Sequence, residues 1–129
     1  MVRKLWPALT AQIDDPIFRR TICSMIIARS DESRPPKGWY SELGHTALPF
    51  IGFANLGVNE PHYHREVYEV YLVARGSSTI VVDEVPISLS AGDVVVVEPG
   101  EVHTFVSNSP DYFHFVLQCP PNQGDKVVV

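Results

Sequence analysis

Two stretches of the chain lack the alternation of a strand with one face in water. From Val67 to Ala74 and from Val94 to Val97 nearly every position is apolar, which predicts strands covered on both faces. Thr21 to Ala28 is β-prone and almost wholly apolar, and predicts a first strand buried on at least one face. Pro49 to Leu56 predicts another. Ile80 to Val82 and Ile87 to Leu89 flank Asp83-Glu84-Val85-Pro86, as paired short strands flank a turn. Phe113 to Leu117 predicts a last strand, with Phe113, Phe115 and Leu117 on one face and His114 on the other beside Tyr112 and Val116.

The segments between are less regular. Leu5, Leu9 and Ile13 recur every four residues, but Pro7 and Pro16 interrupt any long helix, leaving a short helical turn or an irregular arm. Ser30 to Gly38, with Pro35-Pro36, predicts a loop, and Trp39 to Gly44 fits no single element. His45 reads as an exposed or capping residue, because no second ligand lies at strand spacing from it. Many short strands with Gly and Pro turns predict an all-β barrel or jelly roll. The organisation expected is one structural domain, with residues 1–48 as an N-terminal arm and first strand packing on a barrel formed by residues 49–129.

Composition narrows the function classes. The 129 residues, 45% apolar, suffice for one core and are too few for two. A net charge of −5 without any cluster of Lys and Arg argues against a nucleic-acid partner. No apolar run approaches ~18 residues, and Trp6-Pro7 falls where a signal peptide would have its apolar centre, so a cytoplasmic protein with no membrane association is expected. Cys23 and Cys119 carry no Cys-x-x-Cys spacing and read as free buried thiols.

The chemistry begins at Pro61-His62-Tyr63-His64. On an extended strand His62 and His64 project on one side, roughly 6.6 Å apart, a gap that suits one cation between two imidazoles. His103 offers a third imidazole, after the turn Glu98-Pro99-Gly100. Strand parity gives Glu66 as the accompanying carboxylate. A chain reversal between Arg65 and Tyr68 would give Glu69 instead, and no Gly, Pro or Asn marks one. Spacing leaves the two glutamates open.

Gly57, His62, His64, Glu69 and Gly76, followed by Gly92, Asp93, Gly100 and His103, resemble the two motifs of the cupin superfamily over about the last two-thirds of the chain. Two departures affect loop shape: four residues separate Gly57 from His62 where five are usual, and Glu98 stands where the family often has a proline. The resemblance implies a double-stranded β-helix, a jelly-roll barrel here carrying a short N-terminal extension. It also implies His62, His64, Glu69 and His103 as ligands of one divalent transition metal ion, Fe, Mn, Ni or Zn.

If Glu69 faces inward, so do Tyr71 and Val73, and Phe105 follows His103. Glu101 shares that face if its strand is regular; otherwise it belongs to a solvated turn. Glu101, His114 and Tyr71 are the candidate catalytic groups, His114 being weighed against a place on the opposite face. Tyr63 and Arg65 should point away. The cavity so drawn is apolar and aromatic, and suits a neutral or weakly acidic small molecule better than a phosphorylated sugar, which calls for Arg or Lys pairs. Two functions follow: a metal-dependent enzyme of the dioxygenase, decarboxylase, lyase or isomerase type, or a non-catalytic small-molecule-binding or sensing module with a structural metal. Strands apolar on both faces in so short a chain also predict a homodimer.

Overall fold

A computed structural model describes residues 25–29, 35–44, 47–122 and 124–129. Among the described residues ten strands form two five-stranded antiparallel sheets: β1 Lys37–Trp39, β2 Phe50–Ala54, β3 His62–His64, β4 Tyr68–Arg75, β5 Ser77–Val82, β6 Val85–Ser90, β7 Val94–Val97, β8 His103–Asn108, β9 Phe113–Cys119 and β10 Lys126–Val128. One sheet runs β1-β2-β9-β4-β7 and the other β10-β3-β8-β5-β6. The chain repeatedly leaves one sheet for the other, as a double-stranded β-helix requires. The single helical turn among the described residues is the 3-10 turn Ser41–Leu43.

Alternation reappears once the strands are paired. Along β4, Glu69, Tyr71 and Val73 are buried between the sheets, while Val70 and Leu72 are half-buried on the outer face. The core gathers Tyr71, Val73, Ile80, Leu89, Val97, Phe105, Tyr112 and Val116 from both sheets. Two glycines make room for aromatic rings, Phe105 in the core and Trp39 outside it. A Cβ at Gly57 would drive into the Phe105 ring, and one at Gly52 would come within 2.8 Å of the Trp39 ring.

Several sequence expectations change. β1 falls where a loop and an unassigned segment are expected, and pairs along β2 in the register Lys37–Ala54, Gly38–Phe53 and Trp39–Gly52. The strand expected at 21–28 is not seen in its described part, residues 25–28; the remainder, like Cys23, His45 and the Leu5-Leu9-Ile13 repeat, lies outside the described residues. β7 is not covered on both faces within the described chain: Val94 and Val96 are 57% and 53% exposed. The turn between β5 and β6 closes at Asp83 and Glu84, both at positive φ, as a two-residue hairpin compatible with strand twist requires.

Candidate metal centre

β3 delivers His62 and His64 from one sheet, β8 delivers His103 beside them, and β4 delivers Glu69 from the other. His62 lies directly opposite His103 in the β3–β8 pairing. One potential ligand atom from each of the four side chains falls within 4.8 Å of the others, and all four residues are buried. Strand parity from His64 to Glu66 fails for a topological reason. The chain bends at Arg65 and Glu66 as it crosses between sheets, so β4 starts a new count at Tyr68. Glu66 is left exposed, and Glu69 faces the histidines.

Two of the imidazoles are oriented by acceptors behind them. His62 Nδ1 donates to the Glu60 carbonyl at 2.7 Å, and His103 Nδ1 donates to the Glu101 carbonyl at 3.2 Å. A carbonyl only accepts, so at His62 the proton sits on Nδ1 and the lone pair on Nε2, whereas His103 also has its Nε2 3.3 Å from the Glu69 carboxylate. His64 Nδ1 lies 3.9 Å from the Asp125 carboxylate. Burial, the largest effect, lowers the His62 pKa, favouring the neutral form a metal ligand needs.

Glu69 is held at both oxygens. Gln118 Nε2 donates to Oε1 at 2.9 Å, and the Tyr71 hydroxyl donates to Oε2. Burial alone would raise this carboxyl, but the contacts from His103, His64, Tyr71 and Gln118 outweigh it and keep it well below the usual range, hence anionic. Tyr71 is pushed up by burial and by the Glu69 charge, and stays a neutral donor.

The residues fit a divalent cation. His64 Nε2 is buried 2.9 Å from Glu69 Oε1, yet neither ring nitrogen of His64 has a hydrogen-bond partner. Buried polar atoms left so are rare, and a cation between imidazole and carboxylate would satisfy both. Three neutral nitrogens and one anionic oxygen suit Fe, Mn, Ni or Zn.

The centre opens into a cavity of about 540 Å³, within the range of small-ligand sites. Tyr71 and Phe105 line it, as their inward-facing reading expects, and so does His114, for which the sequence favours the opposite face. His114 is buried, its ring stacks on Phe105 with centroids 5.4 Å apart, and its Nδ1 pairs with the Tyr112 hydroxyl at 2.7 Å. Burial pushes His114 down to about 4 and Tyr112 up to about 12. Glu101 is not brought in. β8 begins only at His103, and the Glu101 carboxylate caps the preceding turn by accepting the Glu98 N–H at 2.7 Å.

Sequence reading missed four residues. Gln118 was within reach, since it continues the His114 and Val116 parity along β9. Asp125 accepts the Glu66 and Val67 N–H groups, each at 2.9 Å, from some sixty residues away, and no local pattern announces that. Lys37 and Lys126 line the cavity mouth, where the sequence suggested almost no charge beyond the ligands. Both belong to short edge strands that composition does not reveal.

The cupin domain family matches residues 53–118. No curated protein matches the sequence. Among solved structures, KdgF from a Halomonas species is 18% identical, covering 78% of this chain and 96% of that one, with a TM-score of 0.58. Pac13 from Streptomyces, described as a nucleoside dehydratase, is 15% identical over 82% of this chain and 90% of its own, with a TM-score of 0.64. A cupin protein from Bacteroides fragilis is 18% identical over 74% and 83%, with a TM-score of 0.56. At such identities the likeness concerns the fold. With the family match spanning half the chain and all four candidate ligands inside it, the protein is a member of the cupin family.

Proposed function

We propose that the protein is a metal-dependent cupin enzyme acting on a small organic molecule. The carrying observation is the convergence of four buried ligand atoms on one point at the inner end of a ligand-sized cavity. A divalent ion held by His62, His64, Glu69 and His103 would supply Lewis acidity and coordination positions for a chelating substrate. The chain's own residues do the rest. Phe105 and Val116 pack on the substrate and exclude water, while Tyr71 and Gln118 fix Glu69. Among the described residues His114 Nε2 has no partner, so it is the nitrogen left to hydrogen-bond a substrate. The Tyr112 hydroxyl, 2.7 Å from Nδ1, fixes the orientation of the ring. Tyr71 is engaged with Glu69 and acts as a positioning residue. Pac13 and its complexes with uridine support enzymatic use of such a barrel by a structural neighbour.

The test is to offer catechols, β-diketones, small carboxylic acids and free sugars to the iron-loaded and zinc-loaded protein, following oxygen uptake and product mass. Conversion of any class by either form is the expected result. Measurable binding with every compound recovered unchanged from both forms would replace the enzyme with a binding module.

A further inference from the structure

The inner face of the first sheet sets three side-chain rows in order. Gln118 pairs with Glu69 at the metal end. Two residues further, Trp39, Gly52, Val116 and Tyr71 stand in register, and two beyond that Lys37, Ala54, His114 and Val73 do so. The step from the first row to the third is about 13 Å of strand at ~3.3 Å per residue. The Trp39 ring lies over Gly52, and Trp39 and Ala54 line the cavity between a metal end and a Lys37–His114 end.

The two ends differ in charge. Among the described residues Glu69 is the one carboxylate in the cavity lining, and a divalent ion would more than balance it. At the mouth Lys126 is already paired, its Nζ 2.5 Å from Glu60 Oε1. Lys37 forms no ion pair among the described residues, although its charge acts on Glu60, and it stands in the row that holds the unpartnered His114 Nε2. An acidic chain has therefore placed an unpaired cation and a neutral hydrogen-bonding imidazole at the far end of its cavity.

We propose that the substrate is a two-ended organic acid, which chelates at the metal end and presents a distal carboxylate to Lys37 and His114. This rests on the metal-site reading and adds a charge requirement that reading lacks. A carboxylate there would accept a charge-assisted hydrogen bond from Lys37 Nζ, with His114 Nε2–H as a second donor when Tyr112 donates to Nδ1. Lys37 sets specificity and takes no part in the chemistry.

The test uses matched probes on the full chain loaded with Ni(II): 2-hydroxyglutarate against 2-hydroxypentanoate, and 2-hydroxyadipate against 2-hydroxyhexanoate. Each pair shares its chelating end and differs in the distal carboxylate. Calorimetric titration should show the diacid binding about tenfold tighter in at least one pair, the size expected of one hydrogen bond to a charged group. Lys37→Gln should remove most of that preference, and Lys37→Arg and Lys126→Gln should keep it. Equal affinities within both pairs, no binding of any probe by loaded protein, or a preference unchanged in Lys37→Gln would overturn the inference. Metal content measured on the same samples separates the failures: protein that takes up no Ni(II) defeats the metal-site reading and this inference together, whereas loaded protein without the preference defeats only this inference.

Discussion

Gln118 donates its side-chain amide to Glu69 at 2.9 Å, from the residue directly opposite it on the neighbouring strand. The pairing leaves Gln118 Oε1 buried without a partner, so the amide is turned toward the carboxylate at the expense of its own oxygen. That makes Gln118 a holder of the candidate metal carboxylate. Partners of this kind commonly set metal affinity by about 10–100-fold. Gln118→Ala should therefore weaken binding of the ion by that factor in competition with a chromophoric chelator, while far-UV circular dichroism stays unchanged. Affinity equal to that of the unaltered protein would remove this role.

Asp125 acts from the opposite side. Its carboxylate accepts the Glu66 and Val67 N–H groups, which fixes the crossing that turns Glu69 inward, and it stands behind His64. Replacing it with Ala should lower metal affinity about 10-fold or more. Glu66→Ala, which leaves the backbone N–H in place, should have no such effect. Similar affinities for the two variants would show that the crossing holds without the clamp.

These two residues mark the limit of what the sequence discloses. His62, His64 and His103 are legible as candidate ligands because period-two strand geometry and motif spacing are local. The choice between Glu66 and Glu69 is not, because a remote carboxylate stabilises the crossing between them and no turn-forming residue signals it. Inward parity finds Tyr71 and Phe105 correctly, since each lies within a strand whose register follows a ligand, whereas it leaves His114 open, because no ligand on β9 fixes which face is inward. It misplaces Glu101, which precedes its strand. Lys37 escapes because β1 is three residues long, follows Pro35-Pro36, and is held as a strand by pairing with β2.

His114 gives stability a pH dependence. Burial holds its imidazole at about 4 in the folded chain, against an ordinary value near 6.5. Its ring faces Tyr71, Phe105 and Tyr112, and the Glu69 charge opposes the shift without cancelling it. The unfolded chain therefore takes up a proton first as pH falls. Stability should be full above about 6.5 and drop between about 6.5 and 4, by up to about 3 kcal/mol from this group. Urea denaturation of metal-free protein from pH 7.5 to 4.5 measures it. His114→Gln should flatten the slope, and an identical slope in that variant would place the titrating group elsewhere.

The outer face of the β1-β2-β9-β4-β7 sheet carries rows of apolar side chains, Leu117–Val70–Val96 and Phe115–Leu72–Val94. Val94, Val96 and Phe115 are exposed there. Contiguous apolar surface of this kind is uncommon on a monomer, so a homodimer through this face is expected at micromolar concentration. Val96→Asp should shift sedimentation toward the single chain without changing metal content. A lone 14.4 kDa species in the unaltered protein would contradict the dimer.

The central claim is that His62, His64, Glu69 and His103 hold one metal ion. The most direct measurement is elemental analysis of protein dialysed against limiting iron, manganese, nickel or zinc, with His103→Ala, Glu69→Ala and Glu66→Ala treated alongside. The unaltered chain and Glu66→Ala should retain about one ion per subunit, and His103→Ala and Glu69→Ala should retain none, as loss of one of four ligands from so small a set predicts. Stoichiometric metal in both His103→Ala and Glu69→Ala, or none in the unaltered protein with any of the four ions, would contradict the account.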